Sequence, residues 1–399
     1  METCHAPLSC LPEAASAGAP STTGLDGVSS LLTQLDAGYF RISLSLCGQA
    51  LLWRTLCATG GGGGGGGEVE RLSPRALGAL APAASVILWS LALLSLLALT
   101  ALYAARCLLR FAAVRAEFRH RVAVNYLFAP WASWLLLLQA APSSLLRPDA
   151  APRRALWCAF AAPVLALDVT VYGQWFTEGR TALSVAANPT GHITVVTNLV
   201  AARAAAELGW REGAVAVFAV AVAHYAVLFV TLYQRLLGTD ALPATLRPVF
   251  FLFFAAPSMA SLAWGAISSS FDTACKMLFF LSLFLFASLV SRPALFRRAM
   301  RRFSVAWWAF PFPVTVLAAA AAEYARAVDG GRAAVALVLV LSALSVAVTV
   351  GVMVCTAIRT TDLLADDGGG GGDQVVSAPP AVVPLETRTA SGSPVFSCV

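Results

Sequence analysis

The chain has 399 residues, of which 58% are hydrophobic and only 12% charged, with a mean hydropathy of +0.75. Soluble domains carry about 25% charged residues, so a water-facing surface around a chain of this length is excluded and lipid is the solvent for much of it. The formal net charge of +6 is almost wholly arginine, since Lys276 is the only lysine; arginine holds its charge at every physiological pH and attracts anions.

Residues 1–37 are polar and rich in small residues, and read as a disordered cytoplasmic tail. They show neither the basic start nor the apolar stretch of a cleavable signal peptide. Apolar stretches then recur at the length of membrane spans, which need about 20 mostly apolar residues. They are Tyr39–Leu56, Ala84–Ala105, Val122–Ala141, Ala155–Phe176, Pro189–Ala206, Gly213–Leu237, Val249–Ile267, Met277–Val290, Val305–Ala325 and Ala333–Ile358. The predicted class is an all-α polytopic membrane protein. Ten helices over residues 38–360 form five helical hairpins, and residues 361–399 form a second disordered tail. The glycine run 60–67 lacks the Gly-Lys-Ser/Thr ending of a phosphate-binding loop and reads as a linker.

Two arginine clusters set the orientation. Arg106, Arg110, Arg115, Arg119 and Arg121 follow the second span; Arg292, Arg297, Arg298, Arg301 and Arg302 follow the eighth. Cytoplasmic loops carry the excess of basic residues, so both loops and both termini are expected in the cytoplasm.

Prolines recur at hairpin spacing. Pro130, Pro189, Pro257 and Pro313 fall in the third, fifth, seventh and ninth spans, with Pro163 in the fourth as an exception. A proline in a helix releases the carbonyl four residues earlier, here those of Tyr126, Val185, Phe253 and Ala309. In lipid such carbonyls are tolerated where they face protein or a water-lined cavity. Kinked odd-numbered helices around a central pore, with even-numbered helices outside, are therefore expected.

Chemistry-bearing clusters are scarce. The nine cysteines form no CxxC pair, the four histidines show no ligand spacing, and no nucleotide motif or nucleophile–base pair is evident. Neither a metal, a cofactor nor a nucleic-acid partner is expected, and an enzyme has nothing to rest on. Asp168 and Glu207 are the carboxylates inside spans that a proton relay would use; a structural pair is the alternative role for Asp168. Arg41 either snorkels to the cytoplasmic interface or lines a pore mouth.

Several longer motifs carry a resemblance. Gly38-Tyr-Phe-Arg-Ile-Ser-Leu-Ser-Leu-Cys47 with Gln49-Ala-Leu-Leu-Trp53, Val124-Asn-Tyr-Leu-Phe-Ala-Pro-Trp131, Tyr172-Gly-Gln-Trp175 and Ala187-Asn-Pro189 come first. His224 to Arg235, Pro248 to Pro257 and Ala306-Trp-Trp308 complete the set. Together they resemble the plant slow-type anion channels, relatives of the channel that closes stomata. More distantly they resemble bacterial tellurite-resistance/dicarboxylate transporter proteins. The resemblance covers nearly all of residues 38–358.

It implies a trimer of ten-helix subunits, each with its own pore lined by the odd-numbered helices. It also implies plasma-membrane residence, passage of chloride and nitrate, and kinase activation in some members. The tail before the first span is shorter than in the stomatal members, and Pro311 is an extra proline beside the family's Phe-Pro step. The family's gating phenylalanine falls on Phe312. Arg41, Arg119 and Arg121 are expected to attract anions at the cytoplasmic mouth. The alternatives are a proton-coupled organic-anion carrier, or a non-conducting modifier that forms hetero-oligomers with related subunits.

Overall fold

A computed structural model describes residues 32, 35–60, 75–120, 122–147, 150–177, 188–237, 244–297, 300, 303–329 and 331–359. Every regular element among them is helical. The long helices are α1 (Phe40–Gly60), α2 (Arg75–Leu109), α3 (Ala129–Ala140), α4 (Ala151–Thr177) and α5 (Gly191–Glu207). They continue with α6 (Arg211–Leu237), α7 (Leu252–Ser268), α8 (Thr273–Val290), α9 (Pro311–Ala327) and α10 (Arg332–Ile358). A linker helix, Phe111–Arg119, and a single turn, Ala123–Tyr126, lie between α2 and α3.

Helix packing follows a closed order. α1 packs on α3 and α9, α3 on α5, α5 on α7, and α7 on α9, so the odd-numbered helices form a ring. Each even-numbered helix packs on the odd-numbered one before it. The two layers differ in burial. The spans containing α7 and α9 have 72% and 89% of their residues buried, against 11–22% for those of α2, α4, α6, α8 and α10. The outer helices turn Ile87, Leu94, Val230, Phe284 and Val340 outward. An apolar face of that size is stable only against lipid or another subunit.

Seven helices among the described residues are long and apolar enough to cross a membrane. An eighth counts if the linker helix and the stretch Ala123–Ala140, which meet at a bend of 108°, are one span. The protein is accordingly a multi-pass membrane protein. The ten spans expected from sequence outnumber these, and the shortfall has a physical cause: α1, α3 and α5 are all inner helices. α1 carries Arg41, Ser43, Ser45, Gln49 and Arg54, while α3 and α5 have 12 and 17 residues. A helix wrapped by other helices need not be uniformly apolar along its length.

The prolines act at joints more than as mid-helix bends. Pro130 and Pro311 lie in the first turns of α3 and α9, with Pro313 two residues into α9, and Pro189 precedes α5. There the missing N–H removes no helical bond. Just upstream the backbone changes type: a lone turn before α3, and 3₁₀ helices Ala244–Phe251 and Val305–Ala309 before α7 and α9. Pro257, inside α7, is the mid-helix case among the four. The carbonyl it releases, that of Phe253, accepts a hydrogen bond from the Tyr225 hydroxyl of α6 at 3.2 Å. Val185, the counterpart for Pro189, lies outside the described residues, as do most of the first tail, the second tail, residues 61–67 of the glycine run and Arg121.

Candidate functional site

Phe312 is the second residue of α9 and is 1% exposed. It faces α1, and the glycine opposite makes room for it. A Cβ added at Gly48 would stand 3.1 Å from Cδ2 of the Phe312 ring and 3.6 Å from Cγ2 of Thr315. No aromatic ring stacks on Phe312 among the described residues. The neighbouring phenylalanines are committed elsewhere. Phe310 packs edge-on against Phe251 at 4.8 Å between ring centroids, and Phe254 against Phe286 of α8 at 5.2 Å. Phe312 is thus an apolar ring set between two inner helices, with a bare backbone position across from it.

Its setting is fixed by a buried polar network. Nε2 of Gln49 lies 2.9 Å from Oγ1 of Thr315, 2.7 Å from Oγ of Ser345 and 2.7 Å from Oγ1 of Thr349. The Thr315 hydroxyl also lies 2.8 Å from the Pro311 carbonyl. One side chain of α1 therefore holds the first turn of α9 and the middle of α10 in register. Low dielectric strengthens such bonds and makes an unpaired member costly. Ser45 adds a bond to the Trp308 carbonyl at 3.1 Å, tying α1 to the 3₁₀ helix ahead of α9. A second network joins the starts of α3 and α5: Asn125 donates to Thr190 at 3.0 Å, and Oδ1 of Asn188 accepts from the Thr190 N–H at 2.9 Å.

Near the start of α1, Arg41 donates from Nε to the Gly38 carbonyl at 2.7 Å, and its guanidinium lies 5.0 Å from the centre of the Tyr126 ring. Arg119 lies exposed at the end of the linker helix. The turn Ala123–Tyr126, four residues further on, packs against the turn Ala37–Tyr39 that leads into α1. The loop is tethered by Arg106, which pairs with Glu117 at 2.6 Å and donates to the Leu35 carbonyl.

The carboxylates have partners to different degrees. Oδ1 of Asp168 in α4 accepts from Asn198 of α5 at 3.0 Å, while its Oδ2 is buried without a partner among the described residues. Glu207 pairs with Arg153 at 3.3 Å and Arg203 at 3.2 Å, and Glu323 of α9 pairs with Arg326. Among the described residues no group of His, Cys, Asp and Glu is placed to hold a metal ion. Sequence reading missed Gly48 and the partners of Gln49. The one available signal for Gly48 was a glycine inside an apolar helix, which marks a close approach as often as a weak helix.

Comparison with known proteins gives a consistent result. The family model described as SLAC1, voltage-dependent anion channel, matches residues 34–357. The chain is 49% identical over 335 residues to the S-type anion channel SLAH1 of Arabidopsis thaliana, covering 84% of each chain. It is 49% identical to SLAH4 of the same plant, covering 84% of this chain and 86% of that one. Against the guard cell S-type anion channel SLAC1 of Arabidopsis thaliana the identity is 38%, over 84% of this chain and 56% of the relative.

Proposed function

Because the chain belongs to the SLAC1 family of voltage-dependent anion channels, which is not enzymatic, we propose that it conducts chloride and nitrate passively across the plasma membrane. In this reading all ten long helices span the bilayer as five hairpins, with both termini cytoplasmic. The odd-numbered ring encloses a pore in each subunit of a homotrimer. Phe312 is the gate. Arg41, Arg119 and Arg121 gather anions at the cytoplasmic mouth. The joints at Pro130, Pro189, Pro257 and Pro313 let the inner helices bend aside.

The observation that carries this reading is the Phe312 ring seated on Gly48 inside the closed ring of helices. An apolar constriction in a narrow passage gates by dewetting, and a glycine opposite leaves the ring a place to stand. A proton-coupled organic-anion carrier needs a carboxylate free to load and release a proton. Glu207 and Glu323 are ion-paired, which favours the channel; Asp168, hydrogen-bonded through one oxygen only, is the carboxylate a carrier would have to use.

Voltage clamp of the chain expressed alone tests the reading. The expected current reverses at the chloride or nitrate equilibrium potential and does not shift with external pH. A reversal potential that follows the proton gradient establishes the carrier. A second reading is a modifier of a larger channel: the match covers 84% of SLAH1 but 56% of guard-cell SLAC1. It predicts silence alone and an altered current on co-expression with the longer relative. Kinase control, which the resemblance implies for some members of the family, is tested in the same recordings by adding a kinase.

A further inference from the structure

Away from Phe312 lies a group of charges that the gate does not use. Arg54 stands six residues beyond Gly48, about 9 Å further along α1. Its Nη1 donates to the carbonyl of Ala141, the residue that ends α3, at 3.2 Å. Arg203 and Glu207 occupy the last turns of α5 and pair at 3.2 Å. Arg153, near the start of α4 and 4% exposed, reaches the same carboxylate at 3.3 Å. Arg54 is close enough to interact electrostatically with Glu207, Arg153 and Arg203. The four side chains thus gather where α1, α3 and α5 end, opposite the end at which Arg41 sits. Trp157, four residues after Arg153, donates to the Ala201 carbonyl at 3.2 Å and packs edge-on against Trp210, walling one side.

Three guanidinium groups face one carboxylate, a surplus of two positive charges among these four residues; Arg153 is buried, Arg54 and Arg203 are half-buried, and Glu207 is exposed. Surplus buried charge is expensive unless something neutralises it. Capping the carbonyl end of a helix accounts for the bond from Arg54 to Ala141, but not for the surplus. Nη1 of Arg203 is enclosed and has no hydrogen-bond partner among the described residues. A donor in that state, beside two more arginines, is what a small inorganic anion binds.

We infer that Arg54, Arg153 and Arg203 form a binding site for a small monovalent anion, chloride or nitrate, at the end of the helix ring opposite Arg41. Glu207 sets its strength. The carboxylate holds two of the three arginines in place and cancels one charge, so the anion is held weakly enough to leave. The inference rests on the proposed pore for its purpose. The site itself stands on the charges alone.

Chloride binding to the full chain in nanodiscs of zwitterionic lipid tests it, read from the broadening of the chlorine NMR line. The wild-type protein broadens the line, and added nitrate reverses the broadening. Arg203→Gln and Arg54→Gln each reduce it severalfold, and Arg292→Gln, at an exposed arginine outside both groups, leaves most of it. Glu207→Gln removes the competing negative charge and increases the broadening, an outcome that a purely structural ion pair does not give. Arg54 bonds to a backbone carbonyl rather than to Glu207, so Arg54→Gln decides the matter if Arg203→Gln fails to fold. Unchanged broadening in a folded Arg54→Gln variant overturns the site, as does a decrease in Glu207→Gln. Binding is read without current, so a chain that binds chloride and carries no current refutes the channel and keeps the site.

Discussion

The inner and outer helices are made from much the same residue types and are used in opposite ways. α2, α6, α8 and α10 are long, uninterrupted apolar rods whose exposed leucines, valines and phenylalanines face outward. α1, α3, α5, α7 and α9 are shorter or more polar, start from 3₁₀ helices, turns or prolines, and bury serine, threonine, glutamine and glycine against one another. Stability in a membrane comes from packing and interhelical hydrogen bonds rather than from hiding apolar surface, since lipid is as apolar as leucine. An outer helix therefore needs only length and hydrophobicity. An inner helix needs particular partners, and it is where a substitution has consequences.

The largest consequence is expected at Phe312. Removing a packed phenylalanine ring costs the state that holds it about 3–5 kcal/mol. If only about 1.4 kcal/mol of that falls on the closed state alone, the open fraction rises roughly tenfold. Phe312→Ala should therefore carry a large basal anion current, with surface expression measured in parallel. A variant at normal surface level with parental current removes the gate assignment.

Gly48→Val comes next. Overpacking costs about 1–3 kcal/mol, and current should fall as the ring is forced from its place. The same change in a Phe312→Ala background should be nearly harmless. Thermal unfolding of the two single variants and the double variant reads this coupling, and strict additivity breaks the Gly48–Phe312 contact as an energetic unit.

Gln49→Leu removes the amide that donates to the hydroxyls of Thr315, Ser345 and Thr349, with an expected loss of about 1–3 kcal/mol. It lowers the unfolding temperature and leaves anion selectivity unchanged. Asp272 tests a junction between the layers. Its Oδ1 accepts from the Cys275 N–H at the start of α8, and its Oδ2 from the Trp264 indole of α7, each at 3.0 Å.

The bond from the Cys275 N–H holds the Asp272 carboxyl below the usual carboxylate range. Its stabilisation is thus fully present above the ordinary value and lost as pH falls through the lowered one. Asp272→Ala should cost about 1 kcal/mol near neutral pH and flatten that acid limb of the stability profile. Leu94→Ala, on the outward face of α2, should change stability by no more than about 0.5 kcal/mol. A larger loss there means that the face is covered by another subunit.

Sequence pattern reads the outer layer well because nothing interrupts it: the predicted spans at Ala84–Ala105, Met277–Val290 and Ala333–Ile358 fall inside α2, α8 and α10. The inner layer was legible chiefly through its punctuation. The prolines marked the right helices, but not that Pro130 and Pro313 would stand at the heads of α3 and α9 instead of within them. The stretch from Val122, read as one continuous span, is divided at Leu127 and Phe128 into the turn Ala123–Tyr126 and α3, and the wide bend lies ahead of it, between the linker helix and Ala123. Glu207 looked like a relay candidate, and only the fold brings Arg153 to it from 54 residues away. Gly48 carried only the weak signal of a glycine inside a helix, since what makes it necessary is the ring of Phe312, distant in the chain.

That distance has a bearing on biosynthesis. The amide of Gln49 is satisfied by residues 266, 296 and 300 positions later. Among the described long helices α1 is the first to leave the ribosome, and its tertiary partners are the last. Until α9 and α10 are synthesised, the ring has a gap between its first and fourth staves, and a polar helix waits at the translocon with its amide unmatched. A ribosome that stops before α9 leaves an open-sided bundle. Quality control in the endoplasmic reticulum therefore has a single late event to monitor: the arrival of the last hairpin against the first.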